Sequence, residues 1–141
     1  MAQPDLDHLA GTLRELAAAL QRATRTDSLS RPAASTLSWL AGEGAMRITT
    51  LAEREAVTQP AMTGLVQRLE ASGLVVRRSD ARDGRVVLID ITPAGREALE
   101  RRRAVQDAVI RDRLAGLSTD DLAALEAALP ALYTVTELHA A

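Results

Sequence analysis

The segment that decides the fold runs from Thr49 to Thr92: "TTLAEREAVTQPAMTGLVQRLEASGLVVRRSDARDGRVVLIDIT". Near its start, Thr50-Leu51-Ala52-Glu53 is a capping-box pattern, so a short helix is expected from Thr50 to about Glu55. Ala56 and Val57 then form a turn. Thr58 is a natural N-cap for a second helix, and Pro60 falls in that helix's first turn, where its missing N–H does no harm. Met62, Leu65, Val66 and Leu69 make the buried stripe, and Gly73 terminates the helix. Helix, short turn, helix is the layout of a helix-turn-helix. Leu74–Arg78 then reads as one strand and Val86–Thr92 as its partner, with Val87, Ile89 and Ile91 on one face. Asp83-Gly84 marks the turn between them.

The second helix presents Thr58, Gln59, Ala61, Thr63, Gly64, Gln67 and Arg68 away from its buried stripe, with no acid before Glu70. An ordinary solvated face carries mixed acids and bases. A helix that reads the major groove needs small side chains for close approach, with Gln and Arg to meet adenine and guanine edges. Between residues 61 and 89 lie five arginines against three carboxylates, in a chain whose net charge is −2. A hairpin placed directly after such a helix is a wing. Its tip is expected along the phosphate backbone or in the minor groove, where arginine is electrostatically preferred. Arg78, Arg82, Asp83 and Arg85 are the wing candidates. Asp83 either fixes the turn alone or also orients Arg85 through a salt bridge. Thr49 or Thr50 is placed to hold a phosphate through a backbone N–H.

Outward from this segment the chain reads as helix. Leu6, Leu9, Leu13, Leu16 and Leu20 follow a 3-4-3-4 spacing, one narrow stripe on a helix ending near Arg25. A helix from Arg31 to about Ala41 is capped by Ser30, carries Pro32 in its first turn and ends at Gly42 and Gly44. Trp39 within it reads as a packing residue. Pro93 opens a long helix, with Gly116 as its C-cap. A last helix begins at Ser118 and repeats the leucine spacing at Leu122, Leu125, Leu129 and Leu132, with Pro130 expected to kink or split it. Narrow leucine seams at both ends of a short chain favour a homodimer over a purely intramolecular bundle.

Composition narrows the function. Hydrophobic residues make up 47% of the 141 and aromatics 1%, so the core must be aliphatic, and the scarcity of aromatics argues against single-strand recognition by base-stacking platforms. All 17 positive charges are arginine, the side chain best suited to phosphates and guanine edges, although a GC-rich coding bias explains much of the count. The chain has no cysteine, so disulfides and thiolate metal sites are excluded. It has no signal-peptide pattern and no apolar run of membrane-spanning length, so a cytoplasmic protein without membrane contact is expected. His8 and His139 have no metal-like spacing, and no phosphate-binding glycine loop or nucleophile-base pattern appears. No enzyme, cofactor or metal is expected.

The stretch from Thr49 to Leu99 resembles the DNA-binding core of the MarR family of winged-helix transcription regulators. The resemblance is carried by Leu51-Ala52-Glu53, by Thr63, and by Leu69-Glu70 leading to Gly73-Leu74-Val75. It continues through Asp83 and Arg85 to "ITPAGREAL" at Ile91–Leu99. Four positions depart from the family pattern. Gly84 stands where an arginine is common, Glu55 and Ala56 stand where an apolar residue and glycine usually end the short helix, and Pro130 is unusual in the last helix.

The resemblance implies a mainly α fold with a small β-hairpin wing, in which 31–92 form the winged helix-turn-helix and 1–30 with 93–141 a helical dimerisation region. It implies a homodimeric, ligand-responsive repressor on a pseudo-palindromic duplex, with half-sites roughly 34 Å apart. Family members commonly respond to small, often phenolic compounds. By the same resemblance Leu13, Leu16, Trp39 and Met46 are the candidates for lining an effector pocket. The rival from another class is a winged helix used only for protein–protein contact, its charged wing a solvated loop.

Overall fold

The computed structural model describes residues 3–25 and 29–137. Along them run α1 (Leu6–Ala23), α2 (Arg31–Glu43), α3 (Ile48–Arg54), α4 (Gln59–Ala71), β1 (Val75–Ser79), β2 (Val87–Ile91), α5 (Pro93–Leu114) and α6 (Thr119–Glu137). The fold is mainly helical with one small antiparallel hairpin, as expected. The chain forms two compact units, residues 25–106 and residues 1–24 with 107–141.

The unit of residues 25–106 holds an aliphatic core, in which Leu37, Leu40, Leu51, Val66 and Ile89 are fully buried. The Ser30 hydroxyl caps α2 by accepting from the Ala33 N–H at 3.3 Å. The helix passes the expected end at Ala41 because Gly42 stays helical, and it stops at Gly44, whose φ is +89°. Gly95 and Leu99, in the first turns of α5, are buried in this unit.

Two local expectations are corrected. The short helix begins at Ile48 rather than Thr50, with Arg47 as its N-cap. The cause is a bridge outside the hairpin. The Met46 N–H donates to the Ile89 carbonyl at 2.9 Å, and the Ile89 N–H donates back to Met46 at 2.7 Å. Met46 is thus held extended beside β2, and the chain turns helical as soon as that bridge ends. Thr50 lies inside the first turn and caps nothing. The second correction concerns α6, which continues through Pro130 without splitting. Of the two expected outcomes, a kink or a split, the split does not occur, since helical turns continue on both sides of the N–H that proline removes.

The hairpin pairs Val75 with Ile91, Arg77 with Ile89 and Ser79 with Val87. Its base is tied to the end of α4. Gly73, at φ +73°, sends its N–H to Glu70, and the Leu74 N–H reaches Leu69, a helix stop that only a left-handed residue permits at low cost. The Thr92 hydroxyl donates to the Gly73 carbonyl at 2.6 Å and accepts from the Gly95 N–H at 3.1 Å. A Cβ on Gly95 would stand 2.2 Å from the Leu74 carbonyl oxygen, so only glycine lets α5 start this close to the hairpin.

The other unit differs in kind. α1 is capped by Asp5, which accepts from the His8 N–H at 3.0 Å, yet the helix has no buried residue. Leu6 is 75% exposed and Leu16 50%. In α6 every described side chain is exposed, including Leu122, Leu125, Leu129 and Leu132. His139 lies outside the described residues. Among the described residues no helix is long and apolar enough to cross a membrane.

Candidate nucleic-acid interface

α4 buries Met62, Leu65, Val66 and Leu69, the stripe read from the sequence. Its opposite face is therefore turned outward. Thr58, Gln59, Ala61, Gln67 and Arg68 are exposed, while Thr63 and Gly64 are half-buried between the faces. The Thr58 hydroxyl accepts from the Ala61 N–H at 3.3 Å, which makes Thr58 the N-cap. The Arg68 side chain has no hydrogen-bond or ion-pair partner among the described residues. It lies beside Gly64, where an added Cβ would come 3.6 Å from the guanidinium.

The turn before α4 holds both of the departures at Glu55 and Ala56. Ala56 takes φ +52°, the left-handed conformation usually given to glycine, at a cost of about 1 kcal/mol. Glu55 is half-buried and finds two donors on α2, the Ser35 hydroxyl at 2.5 Å and the Trp39 indole N–H at 2.9 Å. Arg54 stacks over the Trp39 ring at 4.8 Å and forms two 2.7 Å bonds to Glu43. A polar clasp thus replaces the apolar contact at this corner. It fixes the entry to α4 from outside the core, and such charge-assisted bonds are the stronger kind.

At the wing tip the carboxylates serve the backbone. Asp83 accepts from the Arg85 N–H at 3.0 Å and Asp80 from the Arg82 N–H at 3.0 Å. No salt bridge joins Asp83 to the Arg85 side chain, so of the two roles open to Asp83 the turn is the one it fills. The Arg82 and Arg85 side chains are exposed and, among the described residues, have no ion pair or hydrogen bond. Gly84 is not in a left-handed conformation, and nothing stands within 4 Å of an added Cβ. Its backbone would accept a larger residue.

Arg78 is engaged differently, in a 3.1 Å pair with Asp90 on the hairpin face away from the Ile89 side. Thr49 is exposed and Thr50 half-buried in the first turn of α3. Two arginines that the sequence reading did not single out, Arg47 and Arg77, line a cleft between the start of α3 and the wing. Strand alternation could have flagged Arg77, because it lies two residues from buried Val75 and so on the Ile89 side. The effector candidates are divided between the units. Leu13 and Leu16 are exposed on α1, Trp39 is held by Glu55, and Met46 is buried in the core of the 25–106 unit.

Comparison with known proteins agrees with this geometry. The family model described as "MarR family" matches residues 29–87. An uncharacterized HTH-type transcriptional regulator of Mycobacterium bovis is 30% identical over 139 residues, covering 94% of this chain and 97% of the relative. Among solved structures, a transcriptional regulator of Thermotoga maritima superposes with a TM-score of 0.80 at 25% identity, covering 94% of this chain and 96% of that one. A MarR family protein of Bacillus stearothermophilus gives 0.78 at 25% identity, covering 96% and 99%.

Proposed function

The chain belongs to the MarR family, and from that premise we propose that this DNA-binding transcriptional regulator acts as a homodimeric, effector-responsive repressor on a pseudo-palindromic duplex. Its relatives are regulators and not enzymes. The observation that carries the reading is the pairing of an outward α4 face with no acid before Glu70 and a wing tip whose Arg82 and Arg85 side chains have no partner among the described residues. Thr58, Gln59, Ala61, Thr63, Gly64, Gln67 and Arg68 face the major groove. Arg82 and Arg85 meet phosphates or the minor groove, and Thr49 or Thr50 a phosphate.

The exposed leucines of α1 and α6 support dimerisation through the terminal helices. Contiguous apolar faces of this kind are rare on a monomer surface. A two-fold dimer requires half-sites about one helical turn apart. Derepression requires an effector that prefers the wing spacing unable to bind DNA, since equal affinity for both spacings shifts nothing.

Selection of bound sequences from random duplexes tests palindromy and spacing together. On the recovered duplex, affinity falls steeply with salt, and Arg85→Ala weakens binding by about 1–3 kcal/mol. An absence of salt-sensitive duplex binding by the wild type would leave the winged helix as a protein-contact module.

A further inference from the structure

The cleft at the root of the wing is lined by Arg47, Ile48, Thr49, Arg77, Val86 and Val87 and measures about 290 Å³. β2 brings its two arginines together. Ile89 is bridged on one side by Met46, which immediately precedes Arg47, and is paired on the other side by Arg77. The two arginines therefore start from neighbours of the same β2 residue, roughly 10 Å apart by strand spacing, a distance two arginine side chains span from both sides.

Their partners differ. Arg77 gives its Nε–H to Glu70 of α4 at 3.1 Å, which orients the guanidinium and leaves its two outer nitrogens out of that bond. Arg47 is exposed, and among the described residues its side chain has no ion pair or hydrogen bond. No carboxylate lines the cleft, and Ile48, Val86 and Val87 supply apolar wall that strengthens the field of the two cations. Pockets that enclose drug-sized ligands run from about 300 to 1,000 Å³ and are mostly apolar. A cleft at the small end of that range with two guanidiniums suits one compact anion instead.

We infer that Arg47 and Arg77 clamp a backbone phosphodiester of duplex DNA in this cleft, a contact separate from those of the wing tip. The inference rests on the DNA-binding reading above. Arg77 lies within β1 and Arg82 in the bend beyond its end, so root and tip are placed to meet different phosphates. Two forked guanidiniums on one phosphate give directional, charge-assisted bonds without reading a base. The contact sets how the wing lies on the duplex and is blind to sequence.

The test measures binding to a random-sequence duplex and to the duplex recovered by selection, across a salt series, for the wild type, Arg47→Ala, Arg47→Lys and Arg85→Ala. The expected result is that Arg47→Ala weakens both duplexes by a similar factor of about 5 and lowers the salt slope by about 0.9, the value for one lost phosphate contact. Arg47→Lys recovers most of the slope. Single neutral methylphosphonates walked along the recovered duplex locate one linkage whose substitution weakens the wild type more than it weakens Arg47→Ala, which keeps the Arg77 half of the clamp. If the wild type binds with salt sensitivity and Arg85→Ala weakens it while Arg47→Ala changes neither slope nor affinity, the clamp is wrong and the regulator reading stands. A cleft that binds free inorganic phosphate through Arg47, with no change in duplex affinity on Arg47→Ala, also overturns it. A wild type that binds neither duplex refutes the regulator reading itself.

Discussion

The two compact units solve the burial of aliphatic side chains in opposite ways. Residues 25–106 close their leucines into a core of their own, with Leu37, Leu40 and Leu51 at 0% exposure. The terminal helices keep the same side-chain type at the surface, with Leu125 at 43% and Leu129 at 42%. Periodicity alone does not separate the two cases, because both stripes repeat at three and four residues. The difference lies in what surrounds the stripe. α2, α3, α4 and the hairpin form a closed set of neighbours for one another. α1 and α6 present seams with one side open, and burying a leucine fully is worth about 1.5–3 kcal/mol. The terminal seams thus leave apolar surface uncovered, which is the surface the proposed homodimer would bury.

Three variants sharpen that contrast. The largest effect is expected from the double change Leu125→Glu and Leu129→Glu. It places two charges on the open seam and raises the dimer dissociation constant at least about 100-fold, read by sedimentation. Because these leucines take no part in the core of the 25–106 unit, amide-exchange protection of α2 and α4 stays unchanged. A dimer that survives the double change would remove α6 from the interface.

Gly95→Ala is the converse. Its Cβ collides with the Leu74 carbonyl, so the junction of α4, hairpin and α5 must shift. The expected loss is about 1–3 kcal/mol in the denaturation of the 25–106 unit, with duplex affinity falling as the wing is displaced. Unchanged stability would mean that α5 can slide away from the hairpin without cost.

The smallest effect is expected from Gly84→Arg. The position has ordinary backbone geometry and open space around it, so neither unit's stability nor the dimer changes. Duplex binding gains about 0.9 in salt slope if the added arginine reaches a phosphate. An unchanged slope would show that this wing tip stands clear of the backbone at residue 84.

Much of the 25–106 unit was legible from local rules. Thr58 as N-cap, the stripe from Met62 to Leu69, the stop at Gly73 and the turn at Asp83 each depend on residues a few positions apart, and each stands as read. Thr50 was misread because its capping pattern is equally local, and a long-range bridge at Met46 overrode it. The partner of Glu55 was illegible for the same reason, since Ser35 and Trp39 lie 20 and 16 residues away. Arg77 and Arg78 are adjacent and look equivalent in sequence. The hairpin register turns one toward Glu70 and the cleft, and the other toward Asp90.

The sequence by itself determined the order of elements, the aliphatic core and the outward face of α4, because capping, periodicity and turn chemistry act over a few residues. Only the tertiary structure decided that Arg47 and Arg77 share one cleft, that Glu55 clasps α2, and that Gly95 alone lets α5 approach the hairpin. Those facts depend on strand register and on which distant segments meet, and no short-range pattern encodes either.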